Sequence, residues 1–407
     1  MKVSVNNILS WCVLIGLWSS LILPNVFVGG IALFLTTPIS IIVLILAAYM
    51  VYFKQSLRVD SLLLVLLMLC FVIIFSTLFS WVKNLSPISY RDLIEIVKYA
   101  QFMPYVLVIP FLKKDFIKGF QLSSKIAAVF FMLVGLLQLL NIHVLTYLYL
   151  GSSSYHLDSV LSGERITITG SDPNTAGAVA AFFAFLSLSY FLFTKNKIWV
   201  AAFLACFTLM LLTQSRTVLV SFIFSSFVFV MFFYKLSFII KIPLLIILLG
   251  LAVLIFKNLS LEYITIGFQT AVGGDNPSLN VRLDNLVFAF ETFKVNPLLG
   301  IGPSKGSLST VMDSEYALIM QRYGMSGILV FLLLIILLFK AAIDNILFIN
   351  AKILLLFMMM TPFIMLTNNV FSGYQLMSAP VMLYMVLKVQ RKEYEFSNHR
   401  SYIGPRT

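Results

Sequence analysis

Apolar runs of about 20 residues recur from one end of the chain to the other, separated by short clusters of Lys, Arg, Pro, Gly and Asn. Each run is long enough to cross a hydrocarbon core of roughly 30 Å as a helix. The runs place helices near residues 8–23, 31–53, 61–82, 92–112, 125–142, 174–194, 198–213, 217–234, 238–256, 325–343, 350–367 and 375–389. The fold class is therefore an all-α polytopic membrane protein of about twelve transmembrane helices. No internal repeat of fixed period is visible.

Composition agrees with the pattern. Of 407 residues, 60% are hydrophobic and 11% charged, against about 25% charged in a soluble chain. The leading Met1-Lys2-Val3-Ser4-Val5-Asn6-Asn7 opens an apolar stretch without an Ala-x-Ala-like cleavage site, so the first run is expected to remain as a helix. Cys12, Cys70 and Cys206 fall inside apolar runs and form no ligand-like spacing, so neither a metal site, a cofactor nor a disulfide framework is expected.

The net charge of +12 changes the picture through its distribution rather than its size. With the amino terminus inside, eighteen of the 28 basic residues fall on the cytoplasmic side, giving the inside +13 and the outside −1. Every cytoplasmic connection then carries Lys or Arg, as the positive-inside rule requires. Both termini are expected in the cytoplasm, and no nucleic-acid partner is needed to explain the charge. Residues 1–390 read as a single transmembrane domain, and residues 391–407 as a basic, poorly ordered cytoplasmic tail.

The long connections, 143–173 and 257–324, fall outside, and long loops in compact proteins usually carry function. Within the larger one, Leu283, Leu286, Val287, Phe290 and Phe293 follow helical spacing until Asn296-Pro297 ends the run. It reads as an amphipathic helix at the outer membrane face.

Five of the nine arginines, Arg91, Arg165, Arg216, Arg282 and Arg322, also lie outside. The planar guanidinium fork pairs with phosphate oxygens and stays charged in a low dielectric, so several on one face suggest a site for a membrane-borne diphosphate. The alternative for each is a snorkelling helix anchor or a pair with a nearby acid. Arg91, Glu95 and Lys98 share one face of a helix that Ser89 and Asp92 open as a capping box, and either a self-neutralised ladder or a charged site fits. Arg165 precedes Gly170-Ser171-Asp172-Pro173-Asn174, where Asp172 caps a helix and Pro173 takes its first position. Arg216 sits in Thr213-Gln214-Ser215-Arg216-Thr217, between two apolar runs with almost no loop.

In order, Arg165-x4-Gly170-x-Asp172-Pro173-Asn174, Ser215-Arg216-Thr217, and Arg282 followed by Asn296-Pro297-Leu298-Leu299-Gly300-Ile301-Gly302 resemble the O-antigen polymerase (Wzy) and ligase superfamily. So does Asp313-Ser314-Glu315-Tyr316 through Tyr323-Gly324-Met325-Ser326-Gly327. The resemblance covers roughly residues 88–340. Ligases of that superfamily usually carry a His-Asn pair where Asp313-Ser314 stands here, and that departure favours a polymerase.

The resemblance implies a glycosyltransferase without nucleotide sugar, and the arginines can supply positive charge for the diphosphate without a metal ion. Its donor is a growing glycan on undecaprenyl diphosphate and its acceptor one repeat unit on the same lipid, in the bacterial plasma membrane with the site on the outer side. A single displacement inverts the anomeric carbon. Arg165, Arg216 and Arg282, with Arg91 and Arg322, are the diphosphate-binding candidates. Asp313, with Glu315 as the alternative, is the candidate general base, and Asp313 as a helix cap is the competing reading. Expected partners are lipid-linked glycans and membrane lipids, with a chain-length regulator and a flippase of the same pathway as candidates. The competing functions are ligase-type transfer and lipid-linked oligosaccharide transport; repeats typical of secondary transporters are not evident. His143, His156 and His399 sit where none suits a ligase base.

Overall fold

The computed structural model describes residues 5–28, 31–54, 59–150, 156–233, 277–305, 312–373 and 375–402, with the single positions 242, 246 and 250. The described residues are helical apart from turns and one short ribbon. They fall into two compact units: residues 1–131, 284–355 and 369–407 form the first, residues 132–283 and 356–368 the second.

In the first unit, α1 (Val5–Ile22) leads into an antiparallel ribbon, β1 (Val26–Val28) with β2 (Ile31–Leu33), before α2 (Thr36–Lys54) begins. The apolar run at 31–53 does not become helical at once. Pro38 lacks an N–H and is tolerated only in a first turn, which fixes the start of the helix at Thr36. α3 (Ser61–Val82) is capped by Asp60, whose Oδ1 accepts the Leu62 N–H at 2.9 Å. The same carboxylate accepts the Tyr384 hydroxyl at 2.6 Å and pairs with Lys388 at 3.1 Å, tying the last helix to this end of α3.

The run at 92–112 is broken rather than continuous. α4 (Tyr90–Ala100), α5 (Met103–Leu107) and a 3-10 turn at Ile109–Phe111 divide it, because Pro104 and Pro110 each begin a new turn. α6 (Lys114–Leu139) starts well before residue 125, with Lys118 and Lys125 exposed along it. A charge marks where a helix leaves the apolar phase, not where it ends.

In the second unit, the 143–173 connection contains two short helices, α7 (His143–Leu150) and α8 (Leu157–Leu161). α9 (Pro173–Thr194) is almost wholly buried, against α10 (Ile198–Leu212) and α11 (Arg216–Phe232). Its Ala176, Gly177, Ala178, Ala180, Ala181 and Ala184 let helix backbones approach closely, as packing in lipid requires. Phe185 stacks on Phe222 at 4.5 Å, and Tyr190 on Trp199 at 5.0 Å.

α12 (Pro277–Val295) is helical where the spacing predicts a helix, ending before Asn296-Pro297 as expected. Leu283, Leu286, Val287 and Phe290 are exposed, while Ala289 packs with Met312, Ala317 and Leu318. α13 (Glu315–Asp344) has two arms joined at Gly324, and α14 (Ile349–Ile364) follows. α15 (Ser378–Tyr402) continues beyond residue 389, so the first part of the tail is ordered helix, not loose chain. An Arg391–Glu395 pair one turn apart and a Lys392 bond to the Pro110 carbonyl support it.

Seven stretches are long and apolar enough to cross a membrane: α1, α2, α3, Tyr90–Phe111, α6, α9 and α13. α10, α11 and α14 are apolar but shorter. The run read at 238–256 lies outside the described residues but for three positions, and the described part is an all-α polytopic chain with seven such stretches and three shorter apolar helices.

Candidate functional site

In the second unit the arginine motifs at 165–174 and 213–217 assemble into one cluster. Asp172 caps α9 by accepting the Asn174 and Thr175 N–H groups at 2.8 and 2.9 Å and the Thr175 hydroxyl at 2.6 Å. Pro173 stands at the first helical position. The Asn174 side-chain carbonyl accepts the Ser215 hydroxyl at 2.8 Å, joining the amino ends of α9 and α11. Arg165, buried, donates from Nε to the Thr213 carbonyl at 3.0 Å. The Ile166 N–H reaches the Leu212 carbonyl and the Gln214 amide reaches the Glu164 carbonyl. Arg216 opens α11 and is half-buried. Arg165 and the start of α11 at Arg216 thus belong to a cluster with two helix amino ends: Asp172 already occupies that of α9, while no side chain caps that of α11, whose dipole favours an anion.

The loop that presents Arg165 is strapped from α6. Gln138 donates to the Ile168 carbonyl at 3.0 Å and accepts the Thr167 and Ile168 N–H groups at 3.2 and 2.7 Å. Ile168 has φ 49, a conformation β-branched residues rarely adopt, so this strap holds a strained turn in place. Gly170 and Gly177 are equally forced: a Cβ at Gly170 would lie 2.6 Å from the Ala176 nitrogen, and one at Gly177 2.9 Å from the Thr213 hydroxyl.

In the first unit, the Asn296–Gly302 turn is stitched to the kink of α13 by main chain alone. The Ile301 and Gly302 N–H groups donate to the Gln321 and Arg322 carbonyls, and the Met325 and Ser326 N–H groups to the Pro297 and Leu298 carbonyls, at 2.8–3.1 Å. Gly300 (φ 66) and Gly324 (φ 59) permit this approach, since a Cβ on either would meet backbone within 2.7 Å. Ser76 and Ser80 of α3 seal the turn by donating to the Leu299 and Ile301 carbonyls.

That stitch sets Lys305 and Arg322 over α4. Glu95, with a side chain 4% exposed, lies 3.0 Å from Lys98, 3.0 Å from Lys305 and 3.5 Å from Arg322. Asp92, fully buried, accepts the Lys305 N–H at 2.8 Å and the Trp81 indole N–H at 3.4 Å. The capping box therefore forms only by half: Ser89 caps α4, but Asp92 turns inward instead of reaching back. Arg91 is exposed, and Glu95 turns to Lys98 and to the later residues instead. Burial first, then Arg322, push the Lys305 ammonium down to about 8, with Glu95 pulling the other way.

Residues 201–323 match the O-antigen ligase family model. No curated protein matches the chain. The match supports the O-antigen polymerase and ligase superfamily and a lipid-linked glycan transferase-type function, and with the apolar helices it supports a multi-pass membrane protein. The O-antigen ligase match includes Arg216, Arg282, Asp313, Glu315 and Arg322, while Arg91 and Arg165 precede it.

Of these residues, Arg282 is half-buried on α12 in the second unit, and Asp313 half-buried just before α13. Ser314, not Asp313, caps α13, its side chain facing the Ala317 N–H at 3.5 Å. Glu315 is fully buried and accepts the Val370, Phe371 and Ser372 N–H groups at 2.5, 3.0 and 2.9 Å. Three main-chain donors on one carboxylate make a structural clamp on the 370–372 turn. The sequence reading missed Gln138, and Lys305 and Glu95 as the meeting point of distant segments. The signal for Lys305 was its place just after Gly300-Ile301-Gly302-Pro303-Ser304, where a tight turn must aim the next side chain.

Proposed function

We propose that the chain polymerises undecaprenyl-diphosphate-linked repeat units at the outer leaflet of the bacterial plasma membrane, passing the growing glycan from one lipid diphosphate to the repeat unit on another. The observation that carries this reading is the seating of Arg165 beside Ser215-Arg216 and the amino ends of α9 and α11. Arg165, Arg216 and Arg282 hold the donor diphosphate. An acceptor hydroxyl attacks the anomeric carbon, its proton passes to Asp313, and the sugar–oxygen bond breaks with its electron pair leaving on the diphosphate. Fixed positive charge lowers the barrier by meeting the charge that develops on that leaving group. One displacement inverts the anomeric centre.

Polymerase is preferred to ligase because Asp313-Ser314 replaces the pair expected of a ligase and because Ser314, in taking the cap, leaves Asp313 outside that role. A carboxylate can accept the hydroxyl proton in place of an imidazole. The test is reconstitution of purified protein with one synthetic lipid-linked repeat unit. Products of two or more repeats on one lipid support the reading. Transfer only to a different acceptor, such as lipid A core, replaces it by the ligase function, and substrate movement across the bilayer without bond formation replaces it by transport.

A further inference from the structure

The Glu95 cluster holds more positive charge than its fold requires. One carboxylate would be satisfied by one cation, yet Lys98, Lys305 and Arg322 arrive from three separate segments. Asp92, the other acid in the cluster, is engaged by the Lys305 main-chain N–H and the Trp81 indole. The Lys305 ammonium and the Arg322 guanidinium alone carry eight N–H donors, against about four acceptor positions on Glu95 that Lys98 also shares. The Lys305 side chain is 34% exposed, so it is open to a ligand.

We propose that Lys98, Lys305 and Arg322, positioned by Glu95, form a diphosphate site of the first unit that receives the headgroup of the second lipid-linked substrate. The proposal rests on the polymerase reading, which needs two lipid diphosphates, and gives each unit its own cationic cluster. Glu95 is here a positioning residue: it gathers the cations and fixes their spacing. A diphosphate suits the geometry because its several oxygens can bridge donors that a single carboxylate leaves over.

The groups facing Lys305 are Glu95, Lys98 and Asp92 from α4 and Arg322 from α13, with Tyr99 and Tyr323 coupled to the same charges. Burial lowers Lys305 to about 8, so occupancy of this site should fall as pH rises through about 8.

The experiment uses full-length protein in nanodiscs and farnesyl diphosphate as probe, with bound equivalents counted by native mass spectrometry and affinities taken from calorimetry. The wild type is expected to bind two equivalents. Arg165→Ala removes one, and Lys98→Gln with Lys305→Gln weakens the other roughly tenfold or more, the worth of one charged hydrogen bond. Lys305→Arg keeps both and abolishes the fall near pH 8. Two undiminished equivalents in the Lys98/Lys305 variant, or a single wild-type equivalent lost in Arg165→Ala, overturn the proposal. Inorganic pyrophosphate binding this site as tightly as farnesyl diphosphate also overturns it, by making the occupant a free anion rather than a lipid headgroup. Failure of the polymerase reading looks different: both equivalents bind as described, yet no product longer than one repeat is formed.

Discussion

The two cationic clusters are built on opposite physical plans. In the second unit, Arg165 and Arg216 accompany helix amino ends, and hydrogen bonds to main chain, amides, hydroxyls and the Asp172 cap fix the local geometry. In the first, charge itself is the scaffold: a buried Glu95 draws in Lys98, Lys305 and Arg322 from distant segments. The first plan gives a fixed, pH-insensitive field from dipoles and guanidinium groups. The second gives a field that titrates and that depends on one carboxylate.

The largest expected effect tests whether the first-unit cluster depends on the stitch beneath it. Gly300→Ala or Gly324→Ala forces a Cβ into backbone and should cost about 3 kcal/mol or more. Loss of a monodisperse peak in detergent chromatography is the expected outcome, and a normal yield with an unchanged melting temperature would show that the stitch can yield.

Next in size is the contrast between two neighbouring carboxylates. Asp313→Asn should lower polymer formation by roughly a hundredfold or more, as loss of a general base does, with the melting temperature unchanged. Glu315→Gln should behave in the reverse sense, losing about 1–3 kcal/mol of stability through its three main-chain donors. Folded Glu315→Gln protein without activity, beside an active Asp313→Asn, would exchange their roles.

Swapping cations sharpens the comparison further. Arg165→Lys should reduce polymer by roughly tenfold, since a point charge cannot both bond the Thr213 carbonyl and present a fork to phosphate. Lys305→Arg should be tolerated and should shift the alkaline limb of activity upward from about 8. The sign separates this limb from unfolding. Lys305 titrates lower in the fold than in the unfolded chain, so between about 8 and the ordinary lysine value the folded state binds fewer protons and this group's contribution to stability rises with pH. Activity lost near pH 8 together with a falling melting temperature would contradict that assignment. The smallest effect is expected at exposed Arg91, where Ala should change chain length and stability little, within about 0.5 kcal/mol.

Much of this was legible in the chain. α3 begins and ends where the apolar run 61–82 places it, α9 begins where Asp172 announces a cap, and α12 ends where Asn296-Pro297 forbids continuation. Boundaries failed where a run contained proline, at Pro38, Pro104 and Pro110, because hydropathy does not register a missing N–H. They failed in the other direction at α6 and α15, where charges were read as helix ends although exposed lysines suit a helix well. The arginine motifs could be found because each is local. Glu95 with Lys305 could not, since nothing in the spacing of residues 95, 305 and 322 reveals that a glycine-to-glycine stitch brings them together.

That stitch has a consequence for how chain length can vary. Four main-chain bonds between Pro297–Gly302 and Gln321–Ser326 act as the neck of a purse, and the intervening residues leave and return through it. These bonds fix Arg322, Lys305 and the α13 kink from the two ends of the neck, without reference to the number of residues between Gly302 and Gln321. The separation between the two glycine motifs is therefore a free parameter, and two chains of different lengths here can share one neck and one arrangement of charge above it.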